Sequence, residues 1–213
     1  RELYRKQVMR EKEVFSKNKN VNYSYIIFFL LILTCFLAKA EDENKNYRLK
    51  ILEYLSNNKE FSSSFIQYND DAFQEGEFFL KKNRLRIEYS APTQIVFVIK
   101  DSNAMYYNLD LKEVEYFNPK NTVAKIFFDF FYDKKFLEGI KFNNENNSFD
   151  FVKKIKIKDE INNIKIIFEK SPIKLRKIEI NNSEGLTSFA IVNANYNPAL
   201  DDKMFSLANP LFN

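Results

Sequence analysis

Between residues 61 and 195 the chain is a succession of short apolar runs, many alternating with polar positions, separated by turn-forming clusters. Arg84–Tyr89 is the cleanest case. Leu85, Ile87 and Tyr89 fall on one face and Arg84, Arg86 and Glu88 on the other, the period of a half-buried strand. Strands are likewise predicted at 61–68, with Phe61, Phe65 and Tyr68, and at Gln74–Lys81. Gln94–Ile99 is a strand apolar on both faces. Asn103–Leu109 and Glu113–Phe117 complete a meander, with turns at Asp101-Ser102-Asn103 and Asp110-Leu111-Lys112. Lys153–Lys158, Asn163–Lys170, Lys174–Asn181 and Leu186–Asn195 add four more. About ten short strands at such spacing argue for an antiparallel sandwich or barrel.

Two segments break this pattern. Residues 47–57 place Leu49, Leu52 and Leu55, with Ile51 nearby, at helical spacing, predicting one amphipathic helix. Residues 122–138 carry Ile126, Phe127, Phe128, Phe130 and Phe131, apolar around most of a helix. A helix of that kind must be covered on most sides. It fits an ordinary core helix packed on one sheet face, or a plug or lid over a barrel.

The N-terminal region has a different character. Residues 26–38 (IIFFLLILTCFLA) are uncharged and apolar, preceded by Lys17 and Lys19 and followed by Ala38-Lys39-Ala40. That is the pattern of a secretory signal peptide, with cleavage expected after Ala40. The run is short for a spanning helix, which needs roughly 20 residues. An uncleaved anchor is the first rival. Lipidation at Cys35 is the second, though Thr34 and the continuing Phe36-Leu37 suit it poorly. Met9 is a candidate start, and residues 1–22 receive no structural role. The expected division is a leader over 1–40 and a functional domain over 41–213.

Charge and composition then exclude whole classes of function. The leader holds eight Lys/Arg against three Glu, leaving 25 basic and 26 acidic residues in 41–213. A near-neutral body gives no electrostatic basis for binding nucleic acid. The sequence has no His, and its single Cys lies in the leader. Ser-His-Asp catalysis, His- or Cys-ligated zinc and thiol chemistry are therefore excluded. Only Gly76, Gly139 and Gly185 exist, too few for a phosphate-binding glycine loop. Glu75 and Glu77 share a strand face and could do acid–base work, but a solvated strand face explains them more simply. Asp70-Asp71 and Asp201-Asp202 read as turn or surface residues. Neither an enzyme nor a cofactor is indicated. What remains is abundant apolar surface, which can fill a barrel or line a cavity.

At residues 75–92 (EGEFFLKKNRLRIEYSAP) the sequence becomes specific. Glu75, Gly76, Phe79, Leu80, Lys81, Leu85, Arg86, Glu88, Tyr89 and Pro92 resemble the signature of the outer-membrane lipoprotein carrier protein (LolA) family. Phe65 and Gln67, Lys100–Tyr107, Asp110–Val114 and Asn197–Phe205, with Pro210, resemble its further segments in order. The likeness spans about 47–213. Ile87 stands where the family often has Trp, Asn83 stands near its usual Pro, and Asp101-Ser102-Asn103 replaces a D-G turn.

The resemblance implies an open, incomplete antiparallel β-barrel of about ten to eleven strands with a helical lid, the latter including 122–132. It implies a monomeric periplasmic carrier of lipoprotein acyl chains. The carrier would load from an inner-membrane ABC exporter (LolCDE type) and deliver to an outer-membrane acceptor (LolB type). Leu85, Ile87, Tyr89 and Phe97 of the sheet, with Ile126, Phe127 and Phe130 of the lid, are the expected acyl-chain contacts. Lys82 is the nearest match to the family's basic lid latch, which is an Arg; Lys lacks its planar fork. Leu85→Glu is expected to block loading while leaving the fold intact. The alternatives are a membrane-anchored acceptor of the LolB type sharing the fold, a solid-core interaction sandwich, and a carboxylate enzyme.

Overall fold

The computed structural model describes residues 44–69 and 72–212; the expectations for the leader and Cys35 lie outside the described residues. Eleven strands form one antiparallel sheet: β1 (Phe61–Asn69), β2 (Ala72–Lys81), β3 (Arg84–Ala91), β4 (Ile95–Lys100), β5 (Asn103–Asn108), β6 (Glu113–Phe117), β7 (Phe142–Asn144), β8 (Ser148–Ile157), β9 (Glu160–Lys170), β10 (Ile173–Asn182) and β11 (Gly185–Tyr196). Their order is β6-β5-β4-β3-β2-β1-β11-β10-β9-β8-β7. Two meanders are joined through the β1–β11 pair, and β6 and β7 are the outermost strands of this order. The sheet is open, and the short β7 is a strand that apolar patterning did not reveal.

Alternation fixes which side chains face inward. Cross-strand pairs align Phe61, Leu80, Leu85, Ile99, Ala104 and Phe117 in one inner row. In the other meander, Leu175, Phe168 and Phe149 form a second row. All but Phe117, which packs against it, are buried in one continuous core.

The outer face explains why β4 is apolar on both sides. Val98 there is fully buried with Met105 and Phe205, beside Val96, Leu200, Met204 and Leu207. The chain after β11 crosses this face. Arg86 Nη1 donates to the Met204 carbonyl at 2.9 Å, and Lys81 pairs with Glu60 at 3.0 Å and Asp202 at 3.1 Å.

A first helix, α1, covers 44–57. Its buried stripe is Tyr47, Ile51, Tyr54 and Leu55, while Leu49 is 57% exposed. The expected Leu49/Leu52/Leu55 face is thus rotated. The two tyrosines find flat partners, Tyr47 stacking on Phe149 at 4.4 Å and Tyr54 meeting Phe168 edge-on at 5.9 Å. Such pairs add roughly 0.5–1.5 kcal/mol beyond buried area.

The segment expected to be helical over 122–138 is divided. Helix α2 is Ala124–Tyr132; Asp133 ends it and accepts from the Lys135 N–H at 2.9 Å, starting a 3₁₀ turn at Lys134–Leu137. This segment lies in the connection between the two sheet edges.

Candidate functional site

The inner face is unequal along its width. Under α1 and the C-terminal half of α2 the side chains interlock. Phe149 and Phe168 stack at 5.3 Å, and Phe130 packs within 6.5 Å of Phe136, Phe151 and Phe168. Under the N-terminal end of α2, over β3–β5, they do not. There a cavity of about 380 Å³ is lined by Ile87, Tyr89, Ile95, Phe97, Tyr106, Phe117, Phe127 and Phe189, with Gln74 and Thr122–Ala124 at its rim. A second, apolar void of about 20 Å³ lies behind it, walled by Phe65, Phe78, Leu85 and Ile191 and sharing Ile87, Phe127 and Phe189.

The wall is almost free of polar chemistry. Of its two tyrosines, Tyr89 and Tyr106, Tyr89 donates its hydroxyl to Gln67 Oε1 at 2.8 Å, and burial pushes its phenol up to about 12. It stays neutral throughout the physiological range. Gly76 makes this placement possible. Facing Tyr89 across a β-bulge, it leaves no room for a side chain: a Cβ there would lie 2.0 Å from the Glu88 carbonyl oxygen. Tyr89 therefore packs edge-on against Phe65, on the far side of Gly76, at 5.3 Å. The glycine of the E-G motif has a steric reason.

Helix α2 is fastened at its C-terminal end. Tyr132 donates to the Lys59 carbonyl at 3.0 Å, and burial, with the Glu60 carboxylate nearby, raises its phenol far above the usual range. Beyond the helix, Lys153 donates to the Phe136 carbonyl and sits 4.5 Å over the Phe136 ring. The N-terminal end has less to hold it: Val123 is 41% exposed and provides no side-chain cap.

The expected acyl-chain contacts separate by position. Ile87, Tyr89, Phe97 and Phe127 line the main cavity. Leu85 is fully buried and borders only the small void. Ile126 and Phe130 are buried in the core, Phe130 on the interlocked side. Lys82 is exposed at the β2–β3 turn and makes no hydrogen bond to α2 among the described residues. Its neighbours Lys81, Arg84 and Arg86 engage the C-terminal segment instead. Glu75 and Glu77 are exposed on the outer face, away from the cavity.

Sequence reading missed Ile95, Tyr106, Phe117 and Phe189. Ile95 shares the face of Phe97 by period two. Phe189 is brought in only by the β1–β11 pairing, where it stands opposite Gln67.

The full burial of Leu85 also corrects the expectation for Leu85→Glu. A carboxylate there would be buried without a partner, and such a group is costly enough to threaten the fold.

Comparison with known proteins adds to this geometry. Residues 56–208 match the family described as outer membrane lipoprotein carrier protein LolA. No curated protein sequence matches the chain. Among solved structures, the chain is similar to an uncharacterized conserved protein from Thermus thermophilus, at 8% identity and TM-score 0.51, covering 76% of this chain and 91% of that one. A DUF1329 family protein from Desulfovibrio piger aligns at 8% identity and TM-score 0.45, over 78% of this chain and 97% of that one. The MucB of a Pseudomonas aeruginosa MucA/MucB complex aligns at 15% identity and TM-score 0.42, over 75% of this chain; the chain spans 59% of its length.

Proposed function

We propose, from the premise that the chain belongs to the outer membrane lipoprotein carrier protein LolA family, that it binds the acyl chains of lipoproteins released from the inner membrane and carries them through the periplasm to the outer membrane. The family is one of periplasmic, non-enzymatic carriers. The observation that carries the reading is the apolar cavity of about 380 Å³ beneath the N-terminal end of α2.

Each acyl CH₂ left in water costs about 0.8 kcal/mol. A carrier must cover that surface and still give it up. Ile87, Phe97 and Phe127 offer area without directional polar groups, and Tyr89 turns its hydroxyl to Gln67. A preformed cavity also leaves less protein packing to disrupt on loading than a filled core would. Its volume is at the low end of the roughly 300–1,000 Å³ usual for small-molecule sites. In this reading longer or additional chains lift the N-terminal end of α2, which pivots on its Tyr132 end while Phe130 stays seated in the core. The partners are acylated lipoproteins, an inner-membrane ABC exporter of the LolCDE type and an outer-membrane acceptor of the LolB type.

The test adds purified protein and ATP to inner-membrane vesicles bearing the exporter and assays the soluble fraction. A one-to-one, ATP-dependent complex with lipoprotein is expected, reduced at least about tenfold by Phe97→Glu, which places a charge in the cavity wall. No release by folded protein, with a working exporter control, would overturn the reading.

A further inference from the structure

The β7–β8 edge of the sheet is incompletely covered. Strand β9 pairs β8 from Ser148 to Ile157, but β7 pairs only Phe149–Phe151 on the other side. Among the described residues, the six residues Val152–Ile157 are therefore a free edge. Every second residue there turns both its backbone N–H and its C=O away from the sheet. Lys153 does not cover it, because its ammonium is committed inward to Phe136.

Beside this edge the connecting chain swings away. Gly139 has φ +70 and open space around the position a Cβ would take. The departure leaves a groove of about 460 Å³ between Glu138–Lys141 and the start of the free edge, Val152–Lys154, with Asn143 at its end.

We propose that this edge and groove form a docking site for an extended protein segment that alternates acidic with apolar residues and adds to the sheet as a further strand beside β8. Backbone pairing along a free edge supplies affinity, and the flanking side chains select the partner. On the outer face the edge presents Lys154 and Lys156, two residues apart and exposed. Lys154 makes no ion pair among the described residues, and Lys156 has only an exposed contact with Asp159 at 3.5 Å. On the inner face it presents Ile155 and Ile157, half-buried against the core. An added strand therefore meets lysines on one side and isoleucines on the other, which calls for acidic residues at i and i+2 with apolar residues between them.

The surrounding field has the same sign: residues 142–182 hold nine basic and six acidic side chains. Lysines on an edge also oppose pairing with a like edge, so the occupant is an unlike, acidic chain rather than a second copy. The site is separate from the acyl-chain cavity and does not rest on that reading.

The experiment titrates the protein against a labelled octapeptide of alternating Glu and Val by fluorescence anisotropy. Binding that weakens with added salt is expected. It should be about tenfold weaker for an alternating Lys–Val peptide, and about tenfold weaker for the Glu–Val peptide with Lys154→Glu/Lys156→Glu protein. The Lys–Val peptide on that double variant should recover affinity. Amide NMR shifts should concentrate at 152–157, and circular dichroism should show both proteins equally folded. Absence of binding, equal binding of both peptides, or shifts confined to the cavity or to β6 would overturn the proposal.

Discussion

The two meanders of the sheet have similar strands and opposite interiors. Over β8–β10 the inner face is solid: Phe149, Phe151, Phe168, Ile164 and Ile166 are all fully buried. Over β3–β5 the same kind of side chain, in Ile87, Phe97 and Tyr106, is only half-buried and borders empty space. Residue type does not make this difference. Both halves alternate, and both are rich in Phe and Ile. The difference is the cover. Helix α1 lays Tyr47, Ile51, Tyr54 and Leu55 onto the β7–β11 half, with Tyr47 also donating to Asn144 at 3.0 Å. Among the described residues, the β3–β5 half has Thr122–Ala124 and Phe127 above its cavity. Charge separates the halves as well. Residues 61–117 hold nine acidic and six basic side chains, the reverse of 142–182. The solid half is packed throughout, and the hollow half keeps space beside its side chains.

Matched truncations at two rings test this contrast with the largest expected effect. Phe168→Ala removes a ring interlocked with Phe149, Phe130 and Tyr54 and should cost roughly 3–5 kcal/mol. That is a large share of the roughly 5–15 kcal/mol typical of a domain. Phe97→Ala enlarges a space that already exists and should cost about 1.5 kcal/mol, mainly lost burial. Urea unfolding midpoints measure both, and equal costs would mean that the hollow half is no less tightly packed than the other.

A smaller effect is expected at the C-terminal end of α2, the pivot of the proposed opening. Tyr132→Phe deletes the hydrogen bond to Lys59 and should cost about 1 kcal/mol. It should also speed exchange of a fluorescent fatty acid from the cavity, measured by stopped flow. Unchanged exchange with the expected stability loss would mean that α2 does not open about that end.

The smallest effect concerns the outer strap. The Leu200 N–H, donating at 2.9 Å, and Lys81 hold Glu60 below its usual 4.5. Arg84 and Lys81 hold Asp202 below its usual 3.8. Depressed carboxyl pKa values contribute stability that is present above the ordinary values and is lost as pH falls through the folded ones. Amide exchange at 200–207 should therefore rise as pH drops below about 4.5, after correction for intrinsic rates. The cavity should not respond, because Tyr89 does not titrate there. An unchanged strap at about pH 3, below the ordinary carboxyl values, would assign its hold to Phe205 and its apolar neighbours alone.

Much of this protein was legible in its sequence. Strand positions followed from alternation, and turns from their polar clusters, as at Asp101, which adopts φ 57. The double-sided apolar run at 95–99 announced that something covers both faces of β4, and the E-G…L-R-x-E-Y pattern pointed to the family. Of the contacts that the resemblance implied, Ile87, Tyr89, Phe97 and Phe127 border the cavity, whereas Leu85, on the same strand face as Ile87 and Tyr89, is core.

What alternation states is which face a side chain takes, not what lies over that face. The rotated stripe of α1, the placement of that helix on the β7–β11 half, and the arrival of Phe189 through the β1–β11 pair all depend on partners distant in sequence. Whether an apolar face becomes core or cavity depends on the volume of what covers it, and that volume is set by segments that meet only when the chain folds.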